Sequence, residues 1–457
     1  MSSIAVPTPA APDTPAWRRP VALLGISLGY FMVLLDGTVL SVAEPDLARS
    51  LRTSVAGLQW TVTGYTVVFA ALLLSAGAVA DRYGAHRSFR AGIAVFGVGS
   101  ALSALAPNLW TLVVLRALLG VAAAACVPAS MAMIGALYRD AARRARAVAI
   151  WAAVSGAALA AGPIVGGLLV DLAGWRAIFW INVPLAVVVL ALTAGRLVRC
   201  PRGDRGIDWP AQLAACAALG LLTDAVIAVG RAAIPHAAGA AAAAIAAGAA
   251  FLLRERRSAA PVLSPSVLRA PGMRAALLAG GAVNLTMAGV LFVLPLLFHD
   301  ALHLDPLWTG VAFLPMTLPF AVNPLLTGRL VARYGPRGPV LTGLLLLTVA
   351  GVALAVPAYG SFPYPAFVVG LLCAGFGVSF SLPALATTVV AVAPDGRAGA
   401  AGGLLNAVRQ VGATLGVAAM GAVVSATPAH HGARMAAALA LAAMACAAAA
   451  FGLARRR

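Results

Sequence analysis

Two residues of opposite charge stand in stretches that leave little room for water. Asp36 lies in the apolar run 20–42 and Arg116 in the apolar run 109–131. Each run is long enough to cross a hydrocarbon core as a helix, which takes roughly 20 residues. An ionised group at mid-membrane costs about 2.5–3.5 kcal/mol on insertion scales, so it persists where it has a partner or a task. At ~1.5 Å per residue, Asp36 stands about 24 Å from the start of its run. Arg116 stands about 10 Å from the outer end of its own run, or about 20 Å from the inner face of a ~30 Å core. Similar depth on facing helices permits a charge pair. Protonation of Asp36 would break it, and a cationic ligand would compete for the same carboxylate. The plainer reading is an ion pair that only holds two helices together.

A second charged cluster is the segment GAVADRYGAHR, Gly77 to Arg87, between two apolar runs. It reads as a short charged loop joining membrane helices. Gly77 and Gly84 permit a tight turn and close backbone approach. Asp81, Arg82 and Arg87 can pair with one another or with a neighbouring helix end. The cysteines and histidines offer less. The five cysteines are scattered and form no CxxC pair, which argues against a disulfide framework or a zinc site. The histidines read as loop residues. His299 and His303, near Asp300 and Asp305, read as part of a solvated loop, and no metal site is expected.

The elements that position these groups must sit in a bilayer. Of 457 residues, 62% are apolar and only 10% charged, and the mean hydropathy is +0.95. That ratio excludes a water-soluble fold. All 32 basic residues are arginine, and with the heavy use of alanine this points to a bacterial, high-GC genome. The net charge of +18 is therefore a matter of membrane topology, with no nucleic-acid partner implied. Hydropathy gives fourteen candidate spans. With the N-terminus in the cytoplasm, most arginines fall in inside loops. Only Arg49, Arg52, Arg176, Arg231 and Arg434 fall outside. This bias places both termini in the cytoplasm and favours an even span count. Residues 1–19, with Pro7, Pro9, Pro12 and Pro15, read as a disordered cytoplasmic tail and not as a cleavable signal.

The chain also repeats itself. Gly328, Arg333, Tyr334 and Gly335 echo the first charged loop, with Ala332 in place of its aspartate. GVAAAACVPA (Gly120 to Ala129) is echoed by GFGVSFSLPA (Gly375 to Ala384), and Leu371 falls at the repeat position of Arg116. Two six-helix halves account for twelve spans. The repeat spacing puts the other two between the halves. The expected division is an N-terminal bundle at 20–200, two extra helices at 201–254, a cytoplasmic linker at 255–273 and a C-terminal bundle at 274–457.

These motifs resemble those of the major facilitator superfamily. Gly77-x-x-x-Asp81-Arg82-x-Gly84-x-x-Arg87 is similar to the family's loop between helices 2 and 3, and Arg116 with Gly120 to its helix-4 motif. Gly156 and Gly162-Pro163-x-x-Gly166-Gly167 resemble the helix-5 antiporter signature, against a generic small-residue packing face as the plainer reading. LDGTVLSVAEP (Leu35 to Pro45), GWRAIFWINVP (Gly174 to Pro184) and GIDWPA (Gly206 to Ala211) resemble motifs of the 14-helix drug:proton antiporter branch. Ser41 and Glu44 depart from its first-helix pattern, Glu44 standing where that branch has an apolar residue.

The resemblance implies an all-α integral membrane protein with the major facilitator fold. Its two six-helix bundles would be related by a pseudo-two-fold axis along the membrane normal, with two helices added. It implies a monomeric, proton-coupled exporter of small amphipathic drugs or antibiotics in the plasma membrane, working by alternating access without a cofactor. Asp36 and Arg116 would serve proton coupling and substrate binding. The loop residues would gate the cytoplasmic side, and Asn406 and Arg409 would contact the other half near Asp81. Competing readings are export of one endogenous metabolite, such as a self-made antibiotic or siderophore, and a membrane-embedded sensor or enzyme. Against the last stands the lack of a catalytic cluster at membrane depth. The sequence carries no Walker motif, which argues against ATP as the energy source.

Overall fold

The computed structural model describes residues 18–195, 200, 208–258, 265–360, 363–394, 397–426 and 431–454. Residues 1–17 of the expected N-terminal tail, and most of the boundary after residue 195, lie outside them. The first half contains α1 (Arg18–Ser50), α2 (Val55–Tyr83), α3 (Ala85–Ala104), α4 (Leu109–Leu137), α5 (Ala141–Ala173) and a broken helix made of α6 (Ala177–Trp180) and α7 (Asn182–Leu192). Next come α8 (Trp209–Gly230), α9 (Ile234–Arg257) and the short α10 (Pro265–Arg269). The second half contains α11 (Met273–Asp300), a broken helix of α12 (Pro306–Ala312) and α13 (Leu314–Tyr334), then α14 (Arg337–Gly360), α15 (Val368–Ala391), α16 (Ala398–Ala426) and α17 (His431–Ala454).

Among the described residues, 11 helices are long and apolar enough to cross a membrane. α3, the α6–α7 pair and the α12–α13 pair occupy the places of the other expected spans. Where the apolar runs begin, side chains cap the exposed backbone donors. Asn108 accepts from the Thr111 amide at 2.9 Å, Asp140 from Arg143 at 2.9 Å and Asp208 from Ala211 at 3.1 Å. Short turns make neighbouring helices antiparallel, so the molecule has a near end, where α1 begins, and a far end, where it finishes.

The charged segment at the near end is not the loop that its composition suggests. α2 runs on through Asp81 and Arg82 to Tyr83, and α3 starts at Ala85. Gly84 alone makes the turn, with φ of 90°, a conformation that side chains with a Cβ rarely adopt. Gly335 makes the equivalent turn in the second half with φ of 79°. Several histidines are likewise helical, among them His86 in α3, His236 in α9 and His299 in α11. Both differences have one cause. The helices extend beyond the apolar stretch that hydropathy detects.

The two halves pack alike. α1 lies on α5 as α11 lies on α16, and α2 on α4 as α13 on α15. Glycine repeats set these distances. A Cβ at Gly120 would stand 2.5 Å from the Tyr65 carbonyl, and one at Gly375 would strike the Met316 carbonyl in the same way. α8 and α9 pack on each other, and α8 alone of the two bridges α2 and α16.

Candidate functional site

Asp36 and Arg116 meet. α1 and α4 bring them together inside the first bundle, where Arg116 NH1 donates to Asp36 Oδ2 and both side chains are 1% exposed. Further groups fix the pair. Asn182 of α7 donates from Nδ2 to Asp36 Oδ1 at 3.2 Å and to Ser100 Oγ at 3.3 Å. Arg116 Nε donates to the Thr61 carbonyl at 3.2 Å, and its guanidinium sits 4.6 Å from the centre of the Tyr65 ring. Each charge thus has its counter-charge and added hydrogen bonds, which is what a buried pair needs to survive desolvation. Asn182 was not singled out in the sequence. Its signal lies within GWRAIFWINVP, at the break between α6 and α7.

The second half carries a neutral residue at the matching place. Leu371 is fully buried where Arg116 stands in the first half. This half also carries a cation within a long apolar helix. Arg409 sits on α16 about 17 Å along the helix from Ala398. It donates from Nε to Asn284 at 3.2 Å and from NH1 to Asn406 at 3.0 Å. Its cross-half neighbour is Tyr30 of α1, which lies within electrostatic reach and stacks on Trp151 of α5 at 4.6 Å and 8°. Asp81 is exposed, and among the described residues no ion pair or hydrogen bond joins it to Asn406 or Arg409. Arg82 instead lies 5.8 Å from the centre of the Tyr83 ring.

The halves touch at the far end. Gln59 of α2 donates to the Ala418 carbonyl at 2.7 Å and to Val417 at 3.2 Å on α16, and Thr414 donates to Thr66 at 2.8 Å. Gly167 of α5 packs against the backbone of Pro306 and Leu307, while Gly310 of α12 packs against the Pro163 carbonyl. The helix-5 motif divides by role. Pro163 and Gly167 face the other half, Gly162 and Gly166 press on Thr38 and Val39 of α1, and Gly156 has nothing within 4 Å of where a Cβ would stand. Towards the near end, Gly77, Gly135, Gly328, Gly402 and Gly403 also have open space there. Contacts between the halves gather at the far end, and the open glycines lie towards the near end, which is the pattern of a cleft closed at the far end. Asp224, by contrast, lies on α8 outside this cleft and is hydrogen-bonded to His236 at 2.7 Å.

Comparison with known proteins agrees with this architecture. The family model described as Major Facilitator Superfamily matches residues 26–417. The chain is 34% identical over 410 residues to the Multidrug resistance protein Stp of Mycobacterium tuberculosis, covering 89% of this chain and 76% of that protein. It is 34% identical over 404 residues to the Methylenomycin A resistance protein of Bacillus subtilis, covering 88% and 87%. Among solved structures, a bacterial homologue of the human lysosomal transporter Spinster, in an inward-facing and unoccupied conformation, superposes with a TM-score of 0.66 at 19% identity over 96% of both chains. With two pseudo-symmetric helical halves around a membrane cleft and a family match along most of its length, this chain belongs to the major facilitator superfamily.

Proposed function

We propose that the protein exports small amphipathic drugs or antibiotics across the bacterial plasma membrane in exchange for protons, as a monomer of the 14-helix drug:proton antiporter branch. The observation that carries the reading is the buried Asp36–Arg116 pair. A proton on that carboxylate would break the pair, so proton uptake can bias which end of the cleft is closed. The arginine-rich near end is cytoplasmic and the far end faces outside. With that orientation, substrate enters from the cytoplasm at the near end, where the glycines have open space beside them. The relatives' names, both of resistance proteins, support drugs as the substrate class. The division at 20–200, 201–254, 255–273 and 274–457 follows, with α8 and α9 a lateral insert.

The test is a toxicity panel in an efflux-deficient host, followed by transport in inverted vesicles. Acidification inside those vesicles should drive uphill substrate accumulation. Proton-driven uptake into right-side-out vesicles, with none in inverted ones, overturns the reading. A second reading, export of one compound, is favoured by the relative that carries the name of a single antibiotic. Protection against one member of the panel alone would select it.

A further inference from the structure

Among the described residues, Arg409 is a cation without a counter-charge. Among the described residues the acidic group at comparable depth, Asp36, is committed to Arg116, and the ion pairs include none with Arg409. Glu44 is also buried in α1, but it lies 14 residues beyond Tyr30, about 21 Å further towards the sealed end. What Arg409 has is two amide oxygens, from Asn284 and Asn406, and the phenol of Tyr30 across the cleft. Amide dipoles orient a guanidinium and offset part of its desolvation, but they leave its charge in place. Two further features make this a site. Tyr30 is stacked nearly parallel on Trp151, so the first half presents a rigid aromatic pair opposite the cation. Arg409 and Tyr30 stand on the near side of the far-end contacts made by Gln59 and Gly167, so a molecule entering between the halves from the near end meets this layer first.

We propose that Arg409, oriented by Asn284 and Asn406 and faced by the Tyr30–Trp151 stack, is the substrate-recognition subsite of the cleft, and that it selects aromatic compounds bearing an anionic group. A carboxylate or phenolate supplies the missing counter-charge through charge-assisted hydrogen bonds to the guanidinium. The attached ring system packs on the aromatic pair. A cationic aromatic compound of the same shape gains the ring contact and meets an uncompensated like charge. This substrate class rests on the export reading above and narrows it, because export alone is silent on charge.

The experiment is equilibrium binding to the purified full-length protein in nanodiscs, followed by Trp fluorescence. The probes are 2-naphthoate, 2-naphthylmethanol and 2-naphthylmethylammonium. In the unaltered protein the anion should bind roughly tenfold or more tightly than the cation, the scale of one charge-assisted hydrogen bond. Arg409→Gln should abolish that preference, with a circular dichroism spectrum like that of the unaltered protein to report that the variant is folded. Arg409→Lys should keep the order and weaken it. Trp151→Leu should weaken all three probes together. Equal affinity for anion and cation in the unaltered protein overturns the proposal without any variant, and so does an unchanged preference in Arg409→Gln. Binding with the expected charge order but no proton-driven transport would overturn only the export reading. Transport without the charge order would overturn only this one.

Discussion

Gly167 of α5 and Pro306 of α12 meet backbone against backbone across the seam between the two halves. Any side chain at Gly167 would enter the space of the Pro306 carbonyl. That contact holds only while the far end is closed, since these helices belong to different bundles. The reciprocal contact, Gly310 on the Pro163 carbonyl, closes the same seam from the other side. Together they give the glycine-proline motif of α5 a mechanical task that generic packing within one bundle would not.

Gly167→Leu should therefore overpack the seam, at a cost of about 1–3 kcal/mol in the closed form. The expected result is normal expression with the far end held open and efflux lost. Gly156→Leu, in open space, is the control and should leave efflux near the unaltered level. Thiol labelling of a cysteine placed at Ser54, at the far-end start of α2, reads the opening. Unchanged labelling and efflux in Gly167→Leu would contradict the assignment.

Gln59 should act on the same equilibrium through hydrogen bonds. Its amide donates twice to α16, at 2.7 and 3.2 Å, in a fully buried setting. Gln59→Leu removes both bonds and leaves two carbonyls without that donor, worth about 1–3 kcal/mol. Far-end labelling should rise several-fold, with substrate binding from the near end weakened. Labelling equal to that of the unaltered protein would show that the seam does not depend on this side chain.

Glu44 offers a stability prediction of opposite sign. It is 2% exposed in α1, and among the described residues its Oε2 has no hydrogen-bond partner. A buried polar group without a partner costs about 1–3 kcal/mol. Glu44→Leu, which supplies the apolar residue that the first-helix pattern has there, should raise the thermal midpoint of the purified protein in this conformation. A lower midpoint would mean that the carboxyl is satisfied by a partner the packing does not reveal.

What could be read from the chain follows from which signals are local. Asp36 and Arg116 stood out because a charge in an apolar run is conspicuous, and helix rise alone put them at one depth. The bundles were legible through paired features such as Gly120 and Gly375. Asn182 was not, because an asparagine beside a helix break looks like ordinary span-end polarity. The depth of Arg409 is hard to read because the alanine- and glycine-rich start of α16, at Ala398, is too weakly apolar to fix where its span begins. The partners across the seam could not be read. Gly167 against Pro306 and Gln59 against Ala418 are contacts between halves, and no periodicity within one helix encodes its partner in another.

The ion pair itself predicts non-additive behaviour. Arg116→Leu leaves Asp36 as a buried carboxylate with only Asn182 to hold it, and breaking a buried pair from one side costs about 3–5 kcal/mol. Asp36→Asn keeps the shape and removes the charge, so it should cost less and abolish substrate-driven proton release while the protein still inserts. The double variant, Asp36→Asn with Arg116→Leu, should be more stable than Arg116→Leu alone, because the orphaned charge is gone. Arg116→Lys retains the charge but loses the Nε bond to Thr61 and the planar contact with Tyr65, so it should fold and transport more slowly. Thermal midpoints of the four proteins give the cycle, and a pH electrode gives the proton release. Additive midpoints would show that the two residues do not depend on each other. Unchanged proton release in Asp36→Asn would show that the pair is structural and that coupling lies elsewhere.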